Sequence, residues 1–98
     1  MSSPVEFDPA VQGEIGDAVR WYEQRRTGLG RDFLDADGLV VTSIALHPER
    51  FGFALDDIRE GVVGGFPYAD YYRVLADRIR VLAAYHTSRN PSVWQSRS

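Results

Sequence analysis

At 98 residues the chain can bury one modest core, folding removing roughly 60 to 70 % of its unfolded surface, so a single domain over residues 1–98 with no separate substrate domain is expected. It has no cysteine, which excludes disulfides, thiolate metal sites and a cysteine nucleophile. A net charge of −3 argues against a protein that lives by non-specific nucleic-acid binding, so any contact with RNA must be local or assisted by a large partner.

The charge is unevenly spread. Residues 1–57 hold five arginines against eleven acidic residues, whereas residues 58–98 hold six against three. Every basic residue is arginine, which suits bidentate contact with carboxylate or phosphate, although genome base composition explains the same bias. Met1 to Glu6 carries no basic region and no apolar run, and no later segment is long and apolar enough for a bilayer. The expectation is a cytosolic protein with no membrane contact.

Pro4-Val5-Glu6-Phe7 is a short first strand. Asp8-Pro9 then supplies an N-cap and a proline at the first helical position, and Val11, Ile15, Ala18, Val19 and Tyr22 follow at helical spacing. The glycines of Thr27-Gly28-Leu29-Gly30 permit a turn into a second helix with an inner stripe of Phe33, Ala36, Val40 and Ile44, which His47-Pro48 stops. Two helices so closely joined form an antiparallel hairpin over residues 8–47 whose apolar stripe requires a sheet.

Glu49 to Asp57 reads as an irregular connection anchored by Phe51, Phe53 and Leu55, followed by a strand from Ile58 to Val63 and a Gly64-Gly65 turn. An even turn there puts Arg59 on the core side, while a bulge or three-residue loop brings it beside Arg73, which is the favoured register. The last hairpin runs from Phe66-Pro67-Tyr68 through Tyr72-Arg73-Val74 and back along Arg80 to His86. With Asp77-Arg78 as its turn, strand alternation groups Tyr72, Val74, Ile79, Val81, Ala83 and Tyr85 toward the core. Tyr71, Arg73, Leu75, Arg80, Leu82, Ala84 and His86 then share the outer, cationic face, where function is expected. Asp70 falls awkwardly on the core side. The fold class is α+β, in the order β-α-α-β-β-β, with the α-hairpin packed on a small, mostly antiparallel sheet.

Several residues are ambiguous by chemistry alone. Arg73 either marks a functional site or pairs structurally with Asp70 or Asp77, and His86 is either an acid/base group or a hydrogen-bonded strand-end histidine. The two histidines have no cluster of ligands at metal spacing, and the glycines form no phosphate cradle, so neither metal nor cofactor is expected.

Ala18-Val19-Arg20-Trp21-Tyr22-Glu23, Gly28-Leu29-Gly30, Phe33, Pro48, Ile58-Arg59, Phe66-Pro67-Tyr68, Tyr72-Arg73-Val74, and His86 followed by Arg89, Pro91, Trp94 and Arg97 occur in this order. With these motifs the chain resembles the RelE/ParE toxin superfamily of bacterial type II toxin–antitoxin modules, in its ParE-like branch. The resemblance implies a growth-inhibiting protein held inactive by a cognate antitoxin, whose C-terminal segment wraps the toxin, with Trp21 as an anchor unless it is ordinary core. ParE-like members poison DNA gyrase, which calls for a docking surface, here Arg73, Arg80, His86, Arg89, Trp94 and Arg97. RelE-like members cleave mRNA on the ribosome, which would make His86 the acid or base and Arg73 and Arg59 the charge stabilisers, with Arg80 or Arg89 holding a phosphate. No carboxylate complements His86 for that reaction, and the tail ends Trp94-Gln95-Ser96-Arg97-Ser98 without a tyrosine, so gyrase docking is the favoured expectation. A non-toxic binding homologue is the third.

Overall fold

The computed structural model describes residues 3–97; Met1 and Ser2, part of the segment read for a leader, and Ser98, the last tail residue, lie outside it. Strand β1 (Val5–Phe7) leads into helix α1 (Pro9–Arg25) and helix α2 (Leu29–Leu46). Strands β2 (Phe53–Leu55), β3 (Ile58–Val62), β4 (Tyr68–Val74) and β5 (Ile79–His86) follow, with single turns of 3-10 helix at Pro48–Arg50 and Pro91–Val93. The sheet order is β1-β5-β4-β3-β2, all antiparallel except the β1–β5 pair. Among the described residues no helix is long and apolar enough to cross a membrane.

Both helices start and meet as their sequences dictate. Asp8 accepts the Ala10 N–H at 3.0 Å and Pro9 occupies the first helical position. Asp8→Ala is expected to cost about 1 kcal/mol in thermal or urea unfolding, and Asp8→Asn, which keeps the cap oxygen, to recover most of it. Glu23 at the end of α1 accepts the N–H groups of Gly28 and Gly30, tying the two helices at their junction. Gly28 has a φ of 89°, and a Cβ on Gly30 would stand 2.7 Å from the Val19 carbonyl oxygen, so both positions require glycine.

The helices cover one face of the sheet. Val11 and Ile44 pack there on Tyr72, Ile79, Val81 and Ala84, and Ala18, Tyr22 and Phe33 pack with Val63, Phe66 and Tyr68. Gly61 lets α2 approach closely, since a Cβ would lie 2.9 Å from Ile44 Cδ1. The opposite face is covered by the tail. Trp94, 2 % exposed, stacks on Tyr71 with ring centroids 4.3 Å apart, and together with Ile58, Ala69, Leu82 and Ala83 it forms a second core.

Three expectations are corrected. The segment expected to be irregular contains β2, closed onto β3 by Asp56-Asp57 with Asp56 at a φ of 51°. Between β3 and β4 the pairing of Val62 with Ala69 and the Val63 N–H to Tyr68 carbonyl bond leave a four-residue loop, Gly64 to Pro67. That even length places Arg59 opposite Tyr72 on the helix side rather than beside Arg73.

The third correction has the largest consequence. The β4–β5 turn is Ala76-Asp77, and pairing runs Val74 to Ile79, Arg73 to Arg80 and Tyr72 to Val81 before shifting to Tyr71 with Ala83. Leu82 is therefore an extra residue, a β-bulge, and strand parity inverts beyond it. Ala83 and Tyr85 turn to the tail side, while Ala84 and His86 turn to the helix side with Tyr68 and Asp70.

Candidate functional site

The bulge splits the expected cationic face into two. On the tail side Arg73 and Arg80 are direct neighbours across β4 and β5. Each is engaged by groups on adjacent elements. Arg73 Nε donates to Asp57 at 3.0 Å and its Nη1 to the Arg97 carbonyl at 3.1 Å, so the expected partners Asp70 and Asp77 are not the ones used. Arg80 bonds Glu6 at 2.7 Å and Asp8 at 3.3 Å. Arg78 joins this cluster, its pKa pushed up by the hydrogen bond to Asp77 and the charge of Glu6. With Glu6, Phe7, Pro9 and Leu75 the three arginines line an open concavity of about 740 Å³.

Arg97 and Trp94 are structural anchors in this arrangement. β1 ends opposite Val81, which leaves the β5 edge unpaired from the bulge onward. Glu14 of α1 and Arg97 of the tail cover it: Glu14 accepts the Ala84 N–H at 3.1 Å, and Arg97 Nη1 donates to the Leu82 carbonyl at 2.9 Å and to Glu14 at 2.8 Å. The backbone groups left open where β1 ends thus find partners in an ion pair that joins helix, strand and tail. Nothing in the local spacing of Glu14 marks it in the sequence as a residue that reaches across a sheet edge.

His86 lies on the other side. Its ring packs edge-on against Tyr68 with centroids 5.4 Å apart, and Nδ1 accepts the Ser88 N–H at 3.1 Å, which in the neutral ring leaves the proton on Nε2. With Asp17, Trp21, Tyr22, Pro67, Tyr68 and Arg89 it lines a groove of about 520 Å³ between α1 and the end of the sheet. Trp21 is 48 % exposed, meets Tyr22 edge-on and lies beneath the Arg25 guanidinium at 4.1 Å, so it is a surface aromatic rather than core. Burial, with the nearby Tyr68, raises the pKa of Tyr22. The exposed Arg89 lines the same groove and reaches toward the Tyr85 ring.

Arg59 belongs to neither site. It donates to the Phe51 carbonyl at 2.6 Å and stacks 4.0 Å above the Phe53 ring, pinning the segment before β2 to the sheet. Beside it Tyr72 donates to the Pro48 carbonyl, and burial pushes its phenol up to about 12 against the lowering effect of Arg59. The structure therefore brings together Arg73, Arg80 and Arg97, separately gathers Trp21, His86 and Arg89, and does not join Arg73, Arg59 and His86.

No family model matches the sequence, and no curated protein matches it. Among solved structures, a chain described as "Chromosomal ParDE TA system from P. aeruginosa" superposes with a TM-score of 0.75 at 10 % identity, covering 87 % of this chain and 96 % of that one. At that identity the likeness concerns architecture: the chain has a RelE/ParE-like α+β fold, two helices on a five-stranded, mostly antiparallel sheet.

Proposed function

We propose that the protein is the toxin component of a cytosolic toxin–antitoxin module, that it acts by docking on DNA gyrase, and that a cognate antitoxin segment neutralises it. The shared fold with a ParDE chain supports the general class. The observation that favours docking over catalysis is the Leu82 bulge, which puts His86 and Arg73 on opposite sides of the sheet. Cleavage at a ribose 2′-hydroxyl would need a proton-transfer group and a phosphorane-stabilising cation within hydrogen-bonding reach of one substrate. The sheet separates these two.

In this proposal the tail side is the target surface. The tail is held on the sheet by Trp94 and Arg97, and the ion-paired Arg73–Arg80 cluster forms its charged margin. The groove beside Trp21 receives an antitoxin peptide: its aromatic walls offer apolar anchoring, and Asp17, His86 and Arg89 offer polar contacts at its rim.

Purified protein is expected to block gyrase supercoiling and to trap cleaved DNA. Cleavage of translated mRNA on ribosomes with gyrase unaffected would overturn the proposal in favour of an endoribonuclease. His86→Ala is expected to retain most growth inhibition; its complete loss in a folded variant would point to acid/base chemistry.

A further inference from the structure

The interface between α2 and the sheet contains two carboxyl groups with no evident counter-charge. Asp70, in the middle of β4, is 0 % exposed, and Asp37 on α2 is 5 % exposed. No hydrogen bond from another group reaches either carboxylate oxygen of Asp70 or Oδ1 of Asp37. The surroundings cannot replace water: Asp70 lies between Gly61 and Ala84 on the flanking strands, and Val40 and Ile44 of α2 close over Gly61. Two ionised carboxylates here would repel each other in a dry site, each without a donor.

A single proton resolves both difficulties, because a protonated Asp70 can donate to Asp37. We propose that α2 is fastened to β4 by a proton shared between Asp70 and Asp37, so that folding takes up one proton and alkaline conditions loosen the helix hairpin from the sheet. Burial, then the hydrogen bond and negative charge of Asp37, push the Asp70 carboxyl from 3.8 up to about 10.

The direction of the pH effect follows. An unfolded chain releases this proton above 3.8, while the folded chain holds it until about 10. The stabilising contribution is complete below the lower value and disappears as pH rises through the upper one. Across that window the unfolding constant assignable to this group grows about tenfold per pH unit.

Other ionisable groups on this face are Tyr68 and Tyr72 on β4, Arg59 on β3, His86 on β5, and Glu14 and Tyr22 from α1. Burial raises the phenols of Tyr22 and Tyr72, Arg59 is held by the Phe51 carbonyl, and Glu14 is paired with Arg97. Their contributions are common to the wild-type chain and Asp70→Asn, and so cancel in a comparison of the two.

Asp70→Asn keeps the shape and supplies an amide donor to Asp37 without a titrating proton. In urea unfolding of the full chain from pH 5 to pH 9, the wild-type unfolding constant is expected to rise relative to the variant by about tenfold per unit. Wild-type refolding at pH 7 in weak buffer is expected to take up a proton that the variant does not. Parallel pH profiles, or equal uptake, would overturn the proposal. Should Asp70→Asn fail to fold, infrared spectroscopy of the wild type decides: a carboxylic-acid carbonyl band at pH 7 that shifts in Asp37→Asn supports the shared proton, and its absence refutes it.

Discussion

Trp94→Ala is expected to lower the stability of the protein by about 3–5 kcal/mol, the usual cost of emptying a buried indole site. Trp94 is the main large side chain with which the tail seals the sheet face away from the helices, and its stacking partner Tyr71 would be left against water. Tyr71 is itself a buried phenol whose pKa is raised by desolvation and by its hydrogen bond to Glu60 on the neighbouring strand. Exposing it should bring the phenol back toward its ordinary value of 10, a change visible by ultraviolet titration. A loss below about 1 kcal/mol would show that the tail rests on the sheet without contributing to its core. If the tail side is the target surface, the same substitution removes gyrase inhibition without altering any exposed charge.

The second large effect concerns the clasp over the β5 edge. Glu14→Ala is expected to cost about 3–5 kcal/mol, because it leaves a largely buried guanidinium uncompensated and strands the Ala84 N–H. Arg97→Met should cost less, since a flexible apolar chain can lie over the same edge while Glu14 keeps its bond to Ala84. In a double-mutant cycle measured by urea denaturation, the two changes together should cost less than their sum by about 1–3 kcal/mol. Strict additivity would mean that the two side chains lie close without holding each other.

How much of this was legible in the residues differs by element. The helices were, because Asp8-Pro9, the Gly28 to Gly30 junction and His47-Pro48 are local signals whose physics does not depend on the rest of the chain. The sheet face near the last turn was also legible, since Tyr72, Ile79 and Val81 keep strict alternation. Beyond it, Val81-Leu82-Ala83-Ala84 is continuously apolar, and such a run has no phase from which an extra residue can be detected. Strand β2 was hidden for a related reason: Phe53 is exposed, and the segment is a strand only because β3 supplies its hydrogen bonds. Asp37 carried a readable signal, standing four residues after Phe33 and three before Val40 on the inner stripe of α2, just as Asp70 stood on the core side of β4. Each acid alone looks like an error of phase. Their pairing becomes intelligible only once helix and strand are laid together.

Leu82 carries a consequence of a different kind. Drawing that residue into the ladder opposite Tyr71, so that pairing ran unbroken, would swing everything after it through half a turn, presenting the imidazole to the guanidinium groups and sending Tyr85 beneath the helices. A frame built this way can reassign a whole row of chemistry between its two surfaces by a slip in register of one, without inventing a new side chain.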